Sequence, residues 1–197
     1  MDERLKKQME FALELDKEKK IGRQTYLTEA IRKENDAEHA WHLALMIMLL
    51  SEYANEEIDV LKTMSMAIIH DVIEIDAGDT YAYDDAGNAT KREREQKAAD
   101  RIFHILPEDQ EKYFRGLWEE FEEAKTAEAK FAHAMDAVQP IMLNDATDGL
   151  AWREHQMCQS KVRKRISTKI RPGSEILFEY VDRLVEQNVE KGNLKEG

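Results

Sequence analysis

The chain has 197 residues, 42% hydrophobic and 36% charged, with a formal net charge of −12. That length suits one domain with a substantial core, and the acidic balance excludes general affinity for nucleic-acid backbones, which attract basic surfaces. A single cysteine, Cys158, excludes an intrachain disulfide and a cysteine-based zinc knuckle.

The N-terminal MDERLKKQMEF lacks a secretory apolar segment. The longest apolar run, LALMIMLL at 43–50, is too short to cross a bilayer. The expected compartment is therefore the cytoplasm. Residues 1–17 set Leu5, Met9, Phe11, Ala12 and Leu15 among acids and lysines, a spacing that predicts a helix with one buried stripe. In KEKKIGRQTYLTEAIR at 17–32, Gly22 breaks the pattern, and Lys19, Lys20, Arg23 and Arg32 concentrate positive charge. Such a run is ordinarily a solvated face. Arg23, beside Gly22 and ahead of an aromatic residue, stands out as a candidate phosphate clamp. Asn35 or Asp36 can cap a helix reaching about Tyr53, and His39 and His42 share one of its faces.

Asp59 can cap the next predicted helix, 59–74. Its run AIIHDVIEIDAGD at 67–79 sets polar groups in an otherwise apolar stretch, and a charged carboxylate buried there without a partner is costly. On a helix His70 and Asp71 lie about 100° apart, with Glu74 above them on the same face. Gly78 ends the helix and turns Asp79 back. The dyad reads in two ways. It is either a buried His–Asp hydrogen bond with Glu74 and Asp79 exposed, or part of a cation site completed by His39 or His42 upstream and Asp136 downstream.

Residues 80–88, TYAYDDAGN, form a turn-rich loop, a lid or a surface excursion. Helices follow at about 90–105 and 108–121, where patterns such as KREREQK read as solvated faces. A helix over 126–144 carries Phe131, Met135, Val138 and Met142 on one stripe. Asp136 interrupts it, either as a cap or salt-bridge partner or as a ligand, and Pro140 is expected to kink or end it. The tail predicts a loop at 145–150, a basic helix over 152–170 whose KVRKR at 161–165 reads as solvated, a break at Pro172–Gly173, and a last amphipathic helix through Leu177, Val181, Leu184 and Val185. No segment shows the period-two alternation of a strand.

Five stretches together resemble the HD-domain phosphohydrolases: IGRQTYL at 21–27, RKENDAEHAWH at 32–42, IIHDVIEIDAGDTYAYD at 68–84, LWEEFEE at 117–123 and FAHAMDAVQP at 131–140. Within that family they look like the 5′-deoxynucleotidase-like, oxetanocin-type branch. The resemblance implies an all-α fold, a single-domain helical bundle over residues 1–197, assembled as a homodimer. It implies one divalent metal ion (Mn, Co, Zn, Fe or Mg) held by His39, His70, Asp71 and Asp136, which makes His42 structural. It also implies that Glu74 activates or orients water, that Asp79 contacts the leaving group or sugar, and that Arg23 lies near the family's phosphate-binding arginine.

Two histidines and two carboxylates suit a divalent transition ion, and such an ion polarises phosphoryl oxygens and acidifies water. The expected reaction is hydrolysis of 5′-(deoxy)nucleoside monophosphates to nucleoside and phosphate. The expected partner is a small phosphorylated substrate, with neither a nucleic-acid polymer nor a membrane. Hydrolysis of nucleoside triphosphates or of a signalling nucleotide is the alternative chemistry. A non-catalytic helical scaffold would leave His39, His70, Asp71 and Asp136 unrelated in space. A di-iron carboxylate oxidase and an HExxH protease are excluded, because no histidine has a glutamate three residues before it and no HExxH occurs.

Overall fold

The apolar residues of the sequence separate into two cores that share two helices, Val60–Ile69 and Ala127–Ala146. The computed structural model describes residues 2–79, 83 and 85–197. Its helices are α1 (Glu3–Leu15), α2 (Asp36–Leu50), α3 (Val60–Ile69), α4 (Glu74–Ala77), α5 (Asp85–Phe103), α6 (Glu108–Glu123), α7 (Ala127–Ala146), α8 (Leu150–Glu154), α9 (Gln159–Lys169) and α10 (Glu175–Glu190). One core joins Leu43 and Ile47 of α2 to Met135 and Val138 of α7, Val162 and Ile166 of α9, and Val181 and Val185 of α10. The other gathers Phe11, Met66, Ile73, Phe103, Trp118 and Phe121, and it closes on Ala129 and Ala132 of α7. With apolar residues buried on nearly every side, α7 is the central element, and anything polar on it must be satisfied inside the protein.

The all-helical expectation holds, with one addition. Strands β1 (Gly22–Tyr26) and β2 (Lys33–Asn35) pair antiparallel as a small hairpin. Period-two alternation misses it because its inward-facing groups include Arg23 and Glu34 rather than apolar residues. The hairpin leads directly into α2, where Asn35 and Glu38 form a reciprocal capping box at 2.9 and 3.1 Å.

Several predicted boundaries move. In α1 the buried residues are Phe11 and Glu14, whereas Leu5 and Met9 are exposed. The predicted helix 59–74 ends at Ile69. Residues 70–73 tighten into i→i+3 turns (Val72 to Ile69, Glu74 to Asp71) before the single turn of α4. Residues 80–82 and 84 of the predicted loop lie outside the described residues, and 85–88 belong to α5. Pro140 does not end α7. It withholds an N–H from the Asp136 carbonyl, and two turns of well-buried helix on either side carry the chain through. The predicted basic helix splits into α8 and α9. No described helix is long and apolar enough to cross a membrane.

The Pro172–Gly173 break has a packing cause. A Cβ on Gly173 would run into the Lys130 carbonyl and the Ala134 side chain of α7. Gly116, inside α6, has open space around it. Gly173→Ala should therefore cost about 1–3 kcal/mol by overpacking, while Gly116→Ala should stabilise by about 0.5–1 kcal/mol through helix propensity. Urea denaturation midpoints of the two variants check the opposite signs.

Candidate metal centre

Three helices deliver the polar groups to one point. The capping box starts α2 so that Asp36 and His39, three residues apart, turn inward together, and both are fully buried. The i→i+3 turns after α3 carry His70 and Asp71, and α7 carries Asp136. His39 Nε2 lies 3.3 Å from Asp136 Oδ1. His70 Nε2 lies 3.9 Å from the same oxygen and 3.1 Å from Asp71 Oδ2. Ligand atoms of His39, His70 and Asp136 fall within 4.8 Å of one another.

The outer hydrogen bonds decide which nitrogen of each ring is free. His70 Nδ1–H donates to the Ala67 carbonyl at 2.8 Å, which leaves the lone pair on Nε2. That Nε2 is buried and its neutral lone pair meets no donor, while in the protonated ring it would face Asp71 Oδ2 at 3.1 Å. His39 Nδ1–H faces Gln139 Oε1 at 3.2 Å, and Gln139 Nε2 donates to Glu34 Oε2 at 2.7 Å. Imidazoles oriented in this way by backbone and amide acceptors are what metal-ligating histidines require. An orphaned buried lone pair beside two carboxylates fits a divalent cation, and Asp71, adjoining through His70, fits as a fourth donor.

The local field points the same way. Burial pushes the His70 pKa down, but Asp71 and Asp136 outweigh it and raise it to about 9. Despite burial, Asp136 is held well below the usual carboxylate range by its bond to His39 and by Arg165. A site that draws a proton this strongly draws a cation for the same reason.

Arg23 sits inside the acid cluster. Its guanidinium donates to Asp71 Oδ2 at 2.7 Å and to Asp36 Oδ1 at 3.1 Å, with Glu34 Oε1 at 3.6 Å and Asp136 Oδ1 at 3.9 Å. A second set of ligand atoms within 4.8 Å of one another comes from Asp36, Glu74 and Asp79, and it too could hold a cation. Burial, then repulsion from Asp71, Asp36 and Asp79, pushes Glu74 up to about 11. Burial and Asp71 push Asp36 up to about 7.

The cluster opens onto a cleft of about 310 Å³, whose walls include Asp79, Lys91, Trp152, Arg165 and Lys169. His39, His70, Asp71 and Asp136 are thus brought together, Glu74 and Asp79 are adjacent, and Arg23 bridges the two sets. His42 is half-buried, 3.4 Å from the Gln139 amide, and outside both clusters. The groups missed from the sequence are Asp36, Glu34, Gln139, Lys91, Arg165 and Lys169. Helical spacing carried a signal for three of them: Asp36 lies three residues before His39, Gln139 three after Asp136, and Lys169 four after Arg165. KVRKR at 161–165 and KREREQK at 91–97 are accordingly not wholly solvated faces, since Arg165 reaches Asp136 Oδ2 at 3.4 Å and Lys91 lines the cleft.

Comparison with known proteins identifies the family. The HD domain family model matches residues 15–177. The chain is similar to human (Homo sapiens) 5′-deoxynucleotidase HDDC2, 32% identical over 111 residues that cover 56% of this chain and 53% of that protein. It is 30% identical over 114 residues to the Dictyostelium discoideum protein of the same name, covering 55% and 60%. The chain thus spans roughly half of the length of the human relative it matches. A crystal structure of a predicted metal-dependent phosphohydrolase from Magnetospirillum magnetotacticum MS-1 superposes with a TM-score of 0.93 at 46% identity, covering 97% of this chain and 95% of that one. A family match over residues 15–177, most of the chain, establishes that this chain belongs to the HD domain family.

Proposed function

We propose that the chain, acting as one HD-type unit, is a divalent-metal-dependent phosphomonoester hydrolase that converts 5′-(deoxy)nucleoside monophosphates to nucleoside and phosphate. The observation that carries this reading is the convergence of His39, His70, Asp71 and Asp136 around the buried His70 Nε2. The similar proteins named 5′-deoxynucleotidase support the substrate class. The name of the Magnetospirillum protein supports the metal dependence.

Those four residues would hold a metal drawn from Mn, Co, Zn, Fe or Mg, to which mixed nitrogen and oxygen donors are suited. Once bound, the ion supplies Lewis acidity toward phosphoryl oxygen and water. Glu74, with its carboxyl oxygens in the same acid cluster, orients a water against phosphorus, and it would take that water's proton once a bound cation offsets the acids that hold it neutral. The water oxygen bonds to phosphorus as the ester P–O bond breaks, the departing 5′-alkoxide takes a proton from solvent in the cleft, and Glu74 returns the water's proton to solvent as phosphate and nucleoside leave. Asp79 adjoins Glu74 on the cleft wall and contacts the sugar or leaving group. Arg23, bonded here to Asp71, would turn part of its guanidinium toward phosphate if Asp71 and Asp136 were engaged by a cation.

A second copy of the chain would cover the exposed apolar stripe Trp41, Leu45, Met48 and Leu49 of α2, with Leu61 and Ile68 of α3 beside it. The working compartment of such a homodimer would be the cytoplasm.

Two predictions test this reading. His70→Ala should lose tight Mn²⁺ binding, and His42→Ala should keep it, as read by metal analysis of the folded proteins. Equal loss in both would mean that the wrong histidine is assigned. In the second, Glu74→Gln should retain the ion of the His–Asp site while phosphate release from deoxyadenosine 5′-monophosphate falls about 10²–10⁴-fold, the usual contribution of a positioned acid–base group. Unchanged turnover would rule out that role. A wild-type protein that ignores monophosphates and cleaves triphosphates would overturn the substrate assignment.

A further inference from the structure

Among the four cations that line the cleft, Arg23 is committed to carboxylates, and Lys91 pairs with Glu95 at 3.2 Å. The remaining two, Arg165 and Lys169, stand one turn apart on α9. Among the described residues, no carboxylate is in ion-pair contact with Lys169. Its ammonium instead donates to His133 Nδ1 at 3.4 Å. That imidazole is fixed: Nε2–H donates to the Phe121 carbonyl at 2.8 Å, and the ring stacks on Phe121 with centroids 4.1 Å apart. Burial, with Lys169 next, holds His133 down at about 4, so it stays neutral and its Nδ1 lone pair accepts the ammonium. Lys169 is therefore held in place by a neutral acceptor, out of ion-pair contact with Asp136 and Glu122, the acids that attract it.

Arg165 is placed by a carboxylate already in use. Asp136 directs Oδ1 at the two histidine Nε2 atoms and Oδ2 at the Arg165 guanidinium. A cation held by His39, His70 and Asp136 would leave Oδ2 to the Arg165 guanidinium, so two positive groups would adjoin the same carboxylate. Neighbouring phosphate oxygens can bridge the same two positive groups. Burial lowers the Lys169 pKa, Asp136 and Glu122 oppose that shift by attraction, and Arg165 and Lys91 add to it by repulsion. Like charges gathered at one cleft are costly until an anion joins them.

We propose that Arg165 and Lys169 form an anion subsite that binds the non-bridging oxygens of the substrate's phosphate beside the metal ion, sharing with Arg23 the task of gripping it. This rests on the phosphomonoester reading given above, and it makes the two residues substrate-binding groups of the same cleft.

The test is calorimetric binding of inorganic phosphate to the Mn²⁺-loaded protein, beside steady-state kinetics on deoxyadenosine 5′-monophosphate. Arg165→Gln and Lys169→Gln should each weaken phosphate binding by about tenfold to a hundredfold, the usual effect of losing a charge-assisted hydrogen bond. KM should rise correspondingly. Lys164→Gln, on the exposed face of the same helix, should change neither. Should Arg165→Gln shed Mn²⁺ through its contact with Asp136, Lys169→Gln decides, because Lys169 is in ion-pair contact with no proposed ligand. Wild-type affinity for phosphate in Lys169→Gln, or no phosphate binding by the wild type, overturns the subsite. A wild type that hydrolyses no phosphomonoester yet binds phosphate in a Lys169-dependent way overturns the proposed reaction and leaves the subsite standing.

Discussion

The structure turns on an excess of buried acid. Glu34, Asp36, Asp71 and Glu74 are buried around Arg23, and Asp136 reaches into the same cluster. One guanidinium cannot balance that many carboxylates in a medium that solvates charge poorly. The consequences are visible group by group. Glu74 and Asp36 are pushed up toward their neutral forms, first by burial and then by their acidic neighbours. His70 is drawn the other way, toward the charged form, by Asp71 and Asp136. A divalent cation resolves all of these tensions at once. It would replace a proton at His70, engage Asp71 and Asp136, and release part of Arg23 toward a substrate.

The fold around this cluster is arranged to hold it. The hairpin presents Arg23 and Glu34 from outside the helical bundle, and the capping box starts α2 so that Asp36 and His39 turn inward. The i→i+3 turns after α3 advance His70 and Asp71 together. Helix α7 then passes through both cores, carrying Asp136 and Gln139. None of this favours stability for its own sake, since buried ionic groups are commonly less stabilising than apolar residues of the same volume. Such an arrangement persists where binding or chemistry needs it.

Much of the site was legible in the sequence for that reason. A His–Asp pair within AIIHDVIEI, and a lone aspartate within the apolar stripe of α7, break a local rule, and such breaks mark function. What stayed hidden depends on partners distant along the chain. Arg23 stood out, but its four carboxylates come from β2, α2, the turns after α3, and α7. Arg165 sits in a run that reads as solvated, and only the packing of α9 against α7 brings it to Asp136. The hairpin escaped because its inward residues serve the site instead of a core. The broken helix after Ile69 escaped because the apolar positions Val72, Ile73 and Ile75 continue the helical pattern, which says nothing of a tightened turn. The stripe of α1 was over-read: Leu5, Met9 and Leu13 form an exposed apolar face, and Phe11 alone of its large apolar residues is buried.

The most direct measurement is an anomalous difference map from crystals grown with Mn²⁺. The charge imbalance predicts a strong peak coordinated by His39 Nε2, His70 Nε2, Asp71 and Asp136 Oδ1, with the Arg23 guanidinium drawn away from Asp71. A cluster that stays free of manganese at saturating concentration, with Arg23 still bonded to Asp71, would contradict it.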